Sequence, residues 1–149
     1  MRMNGSGAGR QCFALKSTMD SVSEVETAAE QLAIDAGLNE DERFGVVLAV
    51  HEAAVNAVLH GNEYQNDKQI YVCLENTGRS LIFVIADQGK GLDPETLVDP
   101  RAPENLMRGS GRGIFLIRTF MDEVKFRKTQ PGTELTMVKH LGQHLSANI

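Results

Sequence analysis

Glu52 and Asn56 stand out because almost nothing around them is polar. The stretch from Phe44 to His60 reads Phe-Gly-Val-Val-Leu-Ala-Val-His-Glu-Ala-Ala-Val-Asn-Ala-Val-Leu-His, and between Val46 and Leu59 only His51, Glu52 and Asn56 carry polar side chains. A helix apolar nearly all round is buried on most faces. Burying a carboxylate there costs several kcal/mol, roughly the effective penalty per ion, unless something compensates. Four residues apart, Glu52 and Asn56 share one helix face. Gly45 and Ala49 precede them on it and leave room for a ligand. Taken alone, the pair also reads as a core carboxylate and amide bonded to nearby backbone.

Two further clusters follow. The apolar run Leu81–Ala86 ends in Asp87-Gln88-Gly89-Lys90-Gly91. A carboxylate where a buried strand emerges can accept a bond from a planar donor in a cleft, and Gly89 and Gly91 let backbone approach a flat ligand where a Cβ would collide. An ordinary Asp-x-Gly turn is the plainer reading. Gly109-Ser110-Gly111-Arg112-Gly113 lies immediately before a helix. Free N–H groups and the dipole at a helix start form an anion site, and glycines let a phosphate come close. This is not a P-loop, since no Gly-Lys-Ser/Thr follows. A flexible connector accounts for this cluster equally well when it stands alone.

The elements that must position these residues can be read in order. Residues 1–10 are glycine-rich without period and are expected to be a flexible tail, with a single domain from 11 to 149. Gln11–Lys16 reads as a short strand. Ser21-Val-Ser-Glu24 reads as a capping box, with Val22, Val25, Ala29, Leu32, Ala33 and Ala36 at helical spacing and Gly37 as the stop. Asn39 caps a second helix, with Glu42 closing its box, and Gly61 is expected to end it in the left-handed conformation. Ile70–Glu75 alternates as a strand with one wet face; Leu81–Ala86 is expected to be covered on both faces and paired antiparallel to it. Leu92–Ser110 carries three of the four prolines and no clear period, which predicts a lid or linker. Ile114, Ile117, Phe120 and Met121 restore helical spacing, and Val124–Lys128 with Thr133–His140 form a last hairpin. The result is α+β: a two-layer sandwich with a mixed, mostly antiparallel sheet and helices on one face.

Composition narrows the classes. A chain of 149 residues, 42% hydrophobic, suits one domain with a real core. The formal charge of −5 and the lack of a basic patch argue against direct nucleic-acid binding. No apolar run approaches the ~20 residues that span a membrane, so no membrane is expected. Cys12 and Cys73 match no metal spacing and are expected to be buried reduced thiols of a cytoplasmic protein. His51 reads as a core histidine, His60 as a helix-end charge, and Lys125, Arg127 and Lys128 as the solvated face of an edge strand.

In this order and at these intervals, Glu52-x-x-x-Asn56, Asp87-x-Gly89-x-Gly91 and Gly111-x-Gly113 resemble the N, G1 and G2 boxes of the GHKL ATP-binding superfamily. Within it the chain is similar to the anti-sigma factor serine/threonine kinases. Glu-Ala-Ala-Val-Asn-Ala-Val-Leu-His-Gly (52 to 61), Gly111-Arg-Gly-Ile-Phe-Leu-Ile117 with Phe120-Met-Asp-Glu-Val124, and Gly132-Thr133 carry that likeness. It spans roughly Gln11 to Leu141. The resemblance implies ATP and Mg²⁺ as cofactors, with Asn56 holding the metal and Asp87 the adenine amino group. Gly109, Gly111 and Gly113 would cradle phosphates, Thr133 would support Asp87 through water, and Glu52 would be the general base. Arg108 and Arg112 compete for the γ-phosphate. The implied partners are a sigma factor and an anti-anti-sigma protein of the STAS fold, which the kinase would phosphorylate, and the implied assembly is a homodimer. Two other classes remain open: a GHKL module that uses ATP only to set its shape, and a histidine-kinase catalytic domain. The latter needs a phosphoacceptor histidine on a dimerisation helix, which the N-terminal region does not offer.

Overall fold

The computed structural model describes residues 9–62, 67–89 and 109–142. Strands β1 (Arg10–Lys16), β2 (Gln69–Asn76), β3 (Ser80–Ala86), β4 (Glu123–Lys128) and β5 (Thr133–His140) form one sheet in the order β1-β2-β3-β5-β4. Every neighbouring pair is antiparallel. Helices α1 (Met19–Asp35), α2 (Glu40–Asn56) and α3 (Gly109–Phe120) make the second layer. Arg10, expected in the tail, is the first residue of β1 and pairs with Glu75, and Gly9 O accepts the Asn76 N–H at 3.3 Å; the rest of the expected tail, residues 1–8, lies outside the described residues. Of the expected lid, residues 92–108 lie outside the described residues, and Gly109 and Ser110 already belong to α3.

Local chemistry sets the helix ends. The cap of α1 is Thr18, whose side chain accepts the Ser21 N–H at 3.3 Å; the helix therefore starts three residues before the Ser21–Glu24 box expected from the sequence, and Ser21 lies inside its first turn. At the other end Gly37, with φ +85, lets its own N–H reach Ile34 O at 3.0 Å and the Leu38 N–H reach Ala33 O at 3.2 Å. These two bonds are a Schellman closure and satisfy carbonyls the helix leaves open. In α2 the Asn39 box forms as expected: Glu42 N–H donates to Asn39 Oδ1 at 2.8 Å, and Asn39 N–H donates to Glu42 Oε1 at 3.1 Å. Its exit differs. The chain continues through a π turn, Ala57–Gly61, that closes with Asn62 N–H on Ala57 O at 2.8 Å. Gly61 therefore does not stop the helix in the left-handed region; Asn62 ends it at φ −87.

The inner face of the sheet is built from alternate residues. Ile70, Val72 and Leu74 of β2, Leu81, Phe83 and Ile85 of β3, and Leu135 and Met137 of β5 are buried together with Val22, Val25, Val46, Val50, Ile114 and Ile117 of the helices. Each such side chain contributes about 1.5–3 kcal/mol by leaving water. On the opposite face Ile82 and Val84 are only half-buried. The unbroken apolar run of β3 thus reflects its central place between β2 and β5, not a helix layer on each side. Cys12 and Cys73 face each other across β1 and β2, Cα atoms 4.1 Å apart, and are joined as a disulfide. This corrects the expectation of reduced thiols and removes its support for a cytoplasmic setting.

Candidate functional site

At the end of β3, Asp87 is 7% exposed and its surroundings hold it firmly. Its N–H donates to Thr133 O at 3.0 Å. Its Oδ1 accepts the Gly89 N–H at 3.0 Å, and the Thr133 N–H also bonds the carboxylate. Burial pushes the Asp87 pKa above its ordinary value, opposed by these two backbone bonds and by the nearby Lys68. Gly132 makes the approach possible. At φ +102, a Cβ there would lie 1.9 Å from Asp87 O and 3.0 Å from its Oδ1, distances no side chain survives. Thr133 itself is buried, so it contacts Asp87 directly through its backbone as well as lining the same cleft.

That cleft, about 290 Å³ with its open mouth, is lined by Ala53, Asn56 and Ala57 from the second helix, Ile85 and Asp87 from β3, Ile114 from α3, and Phe126, Thr133 and Leu135 from the last hairpin. Apolar walls with a carboxylate at one end and an amide at the other suit a flat heterocycle that carries an amino group. Asn56 is 6% exposed, and among the described residues its Nδ2 is a buried polar atom without a partner. An unpaired buried donor is costly, about 1–3 kcal/mol, and an incoming acceptor such as a phosphate oxygen would relieve it.

Asn56 and Glu52 share their helix face, as their spacing requires, and α3 lies against both at Gly113, its fifth residue. A Cβ on Gly113 would fall 2.9 Å from Glu52 Oε1 and 3.2 Å from Asn56 Nδ2. The glycine therefore lets the N-terminal half of α3 approach a carboxylate and the Asn56 Nδ2. Gly109, Gly111 and Arg112 form the turn of α3 just before Gly113; Gly91 and Arg108 lie outside the described residues. The room expected at Gly45 is taken. The Phe120 ring comes within 2.6 Å of where a Gly45 Cβ would be, so this part of the face packs α2 against α3, and the opening begins at Ala53.

Comparison with known proteins identifies the family and supports the fold. The family described as histidine kinase-like ATPase domain matches residues 15–139. The anti-sigma F factor of Anoxybacillus flavithermus is 31% identical over 134 residues, covering 87% of this chain and 89% of that protein. The chain belongs to the GHKL anti-sigma kinase family. The serine-protein kinase RsbW of Staphylococcus epidermidis is 33% identical over 113 residues, 71% of this chain and 70% of that one. A solved structure of the RsbU and RsbW domains of a Mycobacterium tuberculosis protein superposes with a TM-score of 0.60 at 18% identity. It matches 89% of this chain and 32% of the longer one, a likeness of fold.

Relative to the family's three boxes, the structure gathers Glu52, Asn56 and Gly113 at one end and Asp87, Gly89 and Thr133 at the other. Two features escaped the sequence. His51 is not a core residue: its side chain is 37% exposed, its Nδ1 contacts Glu26 of α1, and its Nε2 lies 4.0 Å from Glu52 Oε2. Its apolar sequence neighbours concealed this, since Glu26 is distant in the chain. Asn62 is fully buried and bonds the residue after Asp87. Its position between a helix and a polar loop gave no sign of that.

Proposed function

We propose that this protein is an anti-sigma factor with serine/threonine kinase activity, which binds Mg·ATP, sequesters a sigma factor and phosphorylates an anti-anti-sigma protein of the STAS fold. The observation that carries the reading is the unpaired, buried Asn56 amide set between Glu52 and Gly113, in a cleft whose far end holds Asp87. Asp87 would accept the adenine amino group. The start of α3 would receive the phosphates with its free N–H groups. The Asn56 side-chain carbonyl would be the protein's ligand to Mg²⁺, which when bound neutralises phosphate charge. Among the described residues no three His, Cys, Asp or Glu side chains cluster for a metal, so the remaining ligands would come from the nucleotide and water.

Glu52 would take the proton from a substrate serine or threonine hydroxyl as its oxygen bonds to the γ-phosphorus. The bond from that phosphorus to the β–γ bridging oxygen breaks, and ADP leaves with the electron pair. A sigma-factor partner would place the protein in the cytoplasm, and the family likeness supports a homodimer.

Transfer of labelled phosphate from ATP to a purified STAS partner tests the reading, with nucleotide titration alongside. The parent should label the partner, and Glu52→Gln should transfer about a hundred- to ten-thousandfold more slowly with ATP affinity nearly intact. ATP binding without labelling would make the protein a nucleotide-responsive binding module.

A further inference from the structure

We propose that Asn62 is a positioning residue for Asp87, fixing the turn that presents the adenine-binding carboxylate; this rests on the ATP reading above. Asn62 is 0% exposed, and its amide joins three separate pieces of chain. Nδ2 donates to Ser17 Oγ, just past β1, and to Gln69 O, the first residue of β2, both at 3.0 Å. Oδ1 accepts the Gln88 N–H at 2.8 Å. Gln88 is the residue after Asp87, so the peptide on the C-terminal side of Asp87 is tied to Asn62. The peptide on its N-terminal side is tied to Thr133 O at 3.0 Å. With both peptides held, the carboxylate has one backbone frame, and the Gly89 N–H sets its rotation.

The Gln88 side chain reinforces that frame. Its Oε1 accepts the Gln69 N–H at 2.8 Å and its Nε2 reaches Tyr71 Oη at 3.0 Å. Asn62 also ends the π turn that follows Glu52 and Asn56. One amide therefore links the helix of the phosphate end to the strand of the adenine end. The side-chain chemistry is selective. The corner uses two donors and one acceptor at a fixed short reach, which an amide supplies and a carboxylate or hydroxyl does not.

The test compares Asn62→Ala, Asn62→Asp and Ser17→Ala with the parent, well below every melting midpoint. Three readouts are taken: amide hydrogen exchange of Gln88 and Gly89 without nucleotide, ATP affinity, and preference for ATP over GTP. Asn62→Ala should speed exchange at Gln88 and Gly89 while Phe83 and Met137 stay at the parent rate. It should also weaken ATP binding by about five- to tenfold, the worth of one net hydrogen bond, and narrow the preference over GTP. Asn62→Asp keeps the acceptor for Gln88 N–H and should keep the preference. Ser17→Ala, which leaves the Gln88 bond in place, should keep both affinity and preference.

Parent-like affinity and preference in Asn62→Ala would overturn the proposal. So would a lost preference in Asn62→Asp, which stands in if the alanine variant does not fold. A Ser17→Ala loss equal to that of Asn62→Ala would also overturn it, by reducing the corner to a stability element. A parent that binds no ATP overturns the underlying reading and this inference together, and is seen before any variant is made.

Discussion

The two ends of the cleft are built on opposite principles. At the end proposed to take adenine the polar groups are tied to one another: Asp87 to Gly89 and Thr133, Gln88 to Asn62, Gln69 and Tyr71. The backbone there comes so close that Gly132 has no room for a side chain. At the end proposed to take the phosphates Asn56 Nδ2 is buried and, among the described residues, unpaired, and Glu52 keeps part of its surface open. A satisfied network is rigid and presents one shape, whereas an unsatisfied donor waits for a partner. Recognition of a base needs the first and transfer of charge needs the second. Damage at the two ends should therefore separate into stability and selectivity on one side, and rate on the other.

The largest effect should fall on rate. Glu52→Gln should lower phosphotransfer by about a hundred- to ten-thousandfold while the thermal midpoint stays near the parent's, since the substitution preserves shape. A midpoint that falls along with the rate would blur the contrast. Next in size is Gly132→Ala, at the other end. Left-handed backbone strain and the clash with Asp87 O should cost about 2–4 kcal/mol of folding stability, read by urea unfolding. Gly113→Ala should behave in the reverse way. Its methyl would meet the flexible end of Glu52 at 2.9 Å, so the carboxylate shifts, and a misplacement of this kind costs up to about a hundredfold in rate. Stability should change by less than about 1 kcal/mol, because alanine favours the helix.

This division also explains what the sequence could and could not disclose. The end proposed for the phosphates is local: Glu52 and Asn56 stand four apart on one helix and Gly113 near the start of another, so helical spacing alone puts the first two on one face. The β2–β3 and β4–β5 hairpins, the Asn39 box and the Gly37 stop were legible for the same reason, since each is closed by a short turn or by residues a few positions apart. The end proposed for adenine was visible as Asp87-x-Gly89, and Gly132-Thr133 joined it only through the family resemblance. What holds it comes from Ser17, Asn62, Gln69, Tyr71 and Gly132, which no local pattern connects. The misreadings have this origin too. Gly45 looked like an open site because Phe120 is far along the chain. His51 looked buried because Glu26 is. Cys12 and Cys73 looked like separate thiols because their pairing is a matter of strand register.

Asp87→Asn breaks the adenine end most specifically, and its effects divide between affinity and pH. Losing one bond from a charged acceptor to adenine should weaken ATP binding by about ten- to a hundredfold, or roughly 1.5–3 kcal/mol, and narrow the preference over GTP. Nucleotide titration of parent and variant measures both.

The smaller effect is on stability, and its sign follows from burial. Burial raises the Asp87 pKa above 3.8 in the folded state, so between its unfolded and folded values the native protein binds more protons than the unfolded chain. Stability then falls as pH rises through that window, and the full loss is present above the folded pKa. The asparagine variant lacks this titration. Whatever constant offset the swap introduces at the Gly89 and Thr133 bonds, the difference in stability, variant minus parent, should grow in the variant's favour as pH rises through the carboxylate range and then level off. Urea unfolding of both proteins across that range measures the difference. A flat difference would mean that the Gly89 and Thr133 bonds and Lys68 fully offset burial. On the proposed reading, the adenine amino group of bound ATP would donate to the same carboxylate and favour its charged form. The parent's fall with rising pH should therefore shrink with nucleotide present, while the variant's curve keeps its shape.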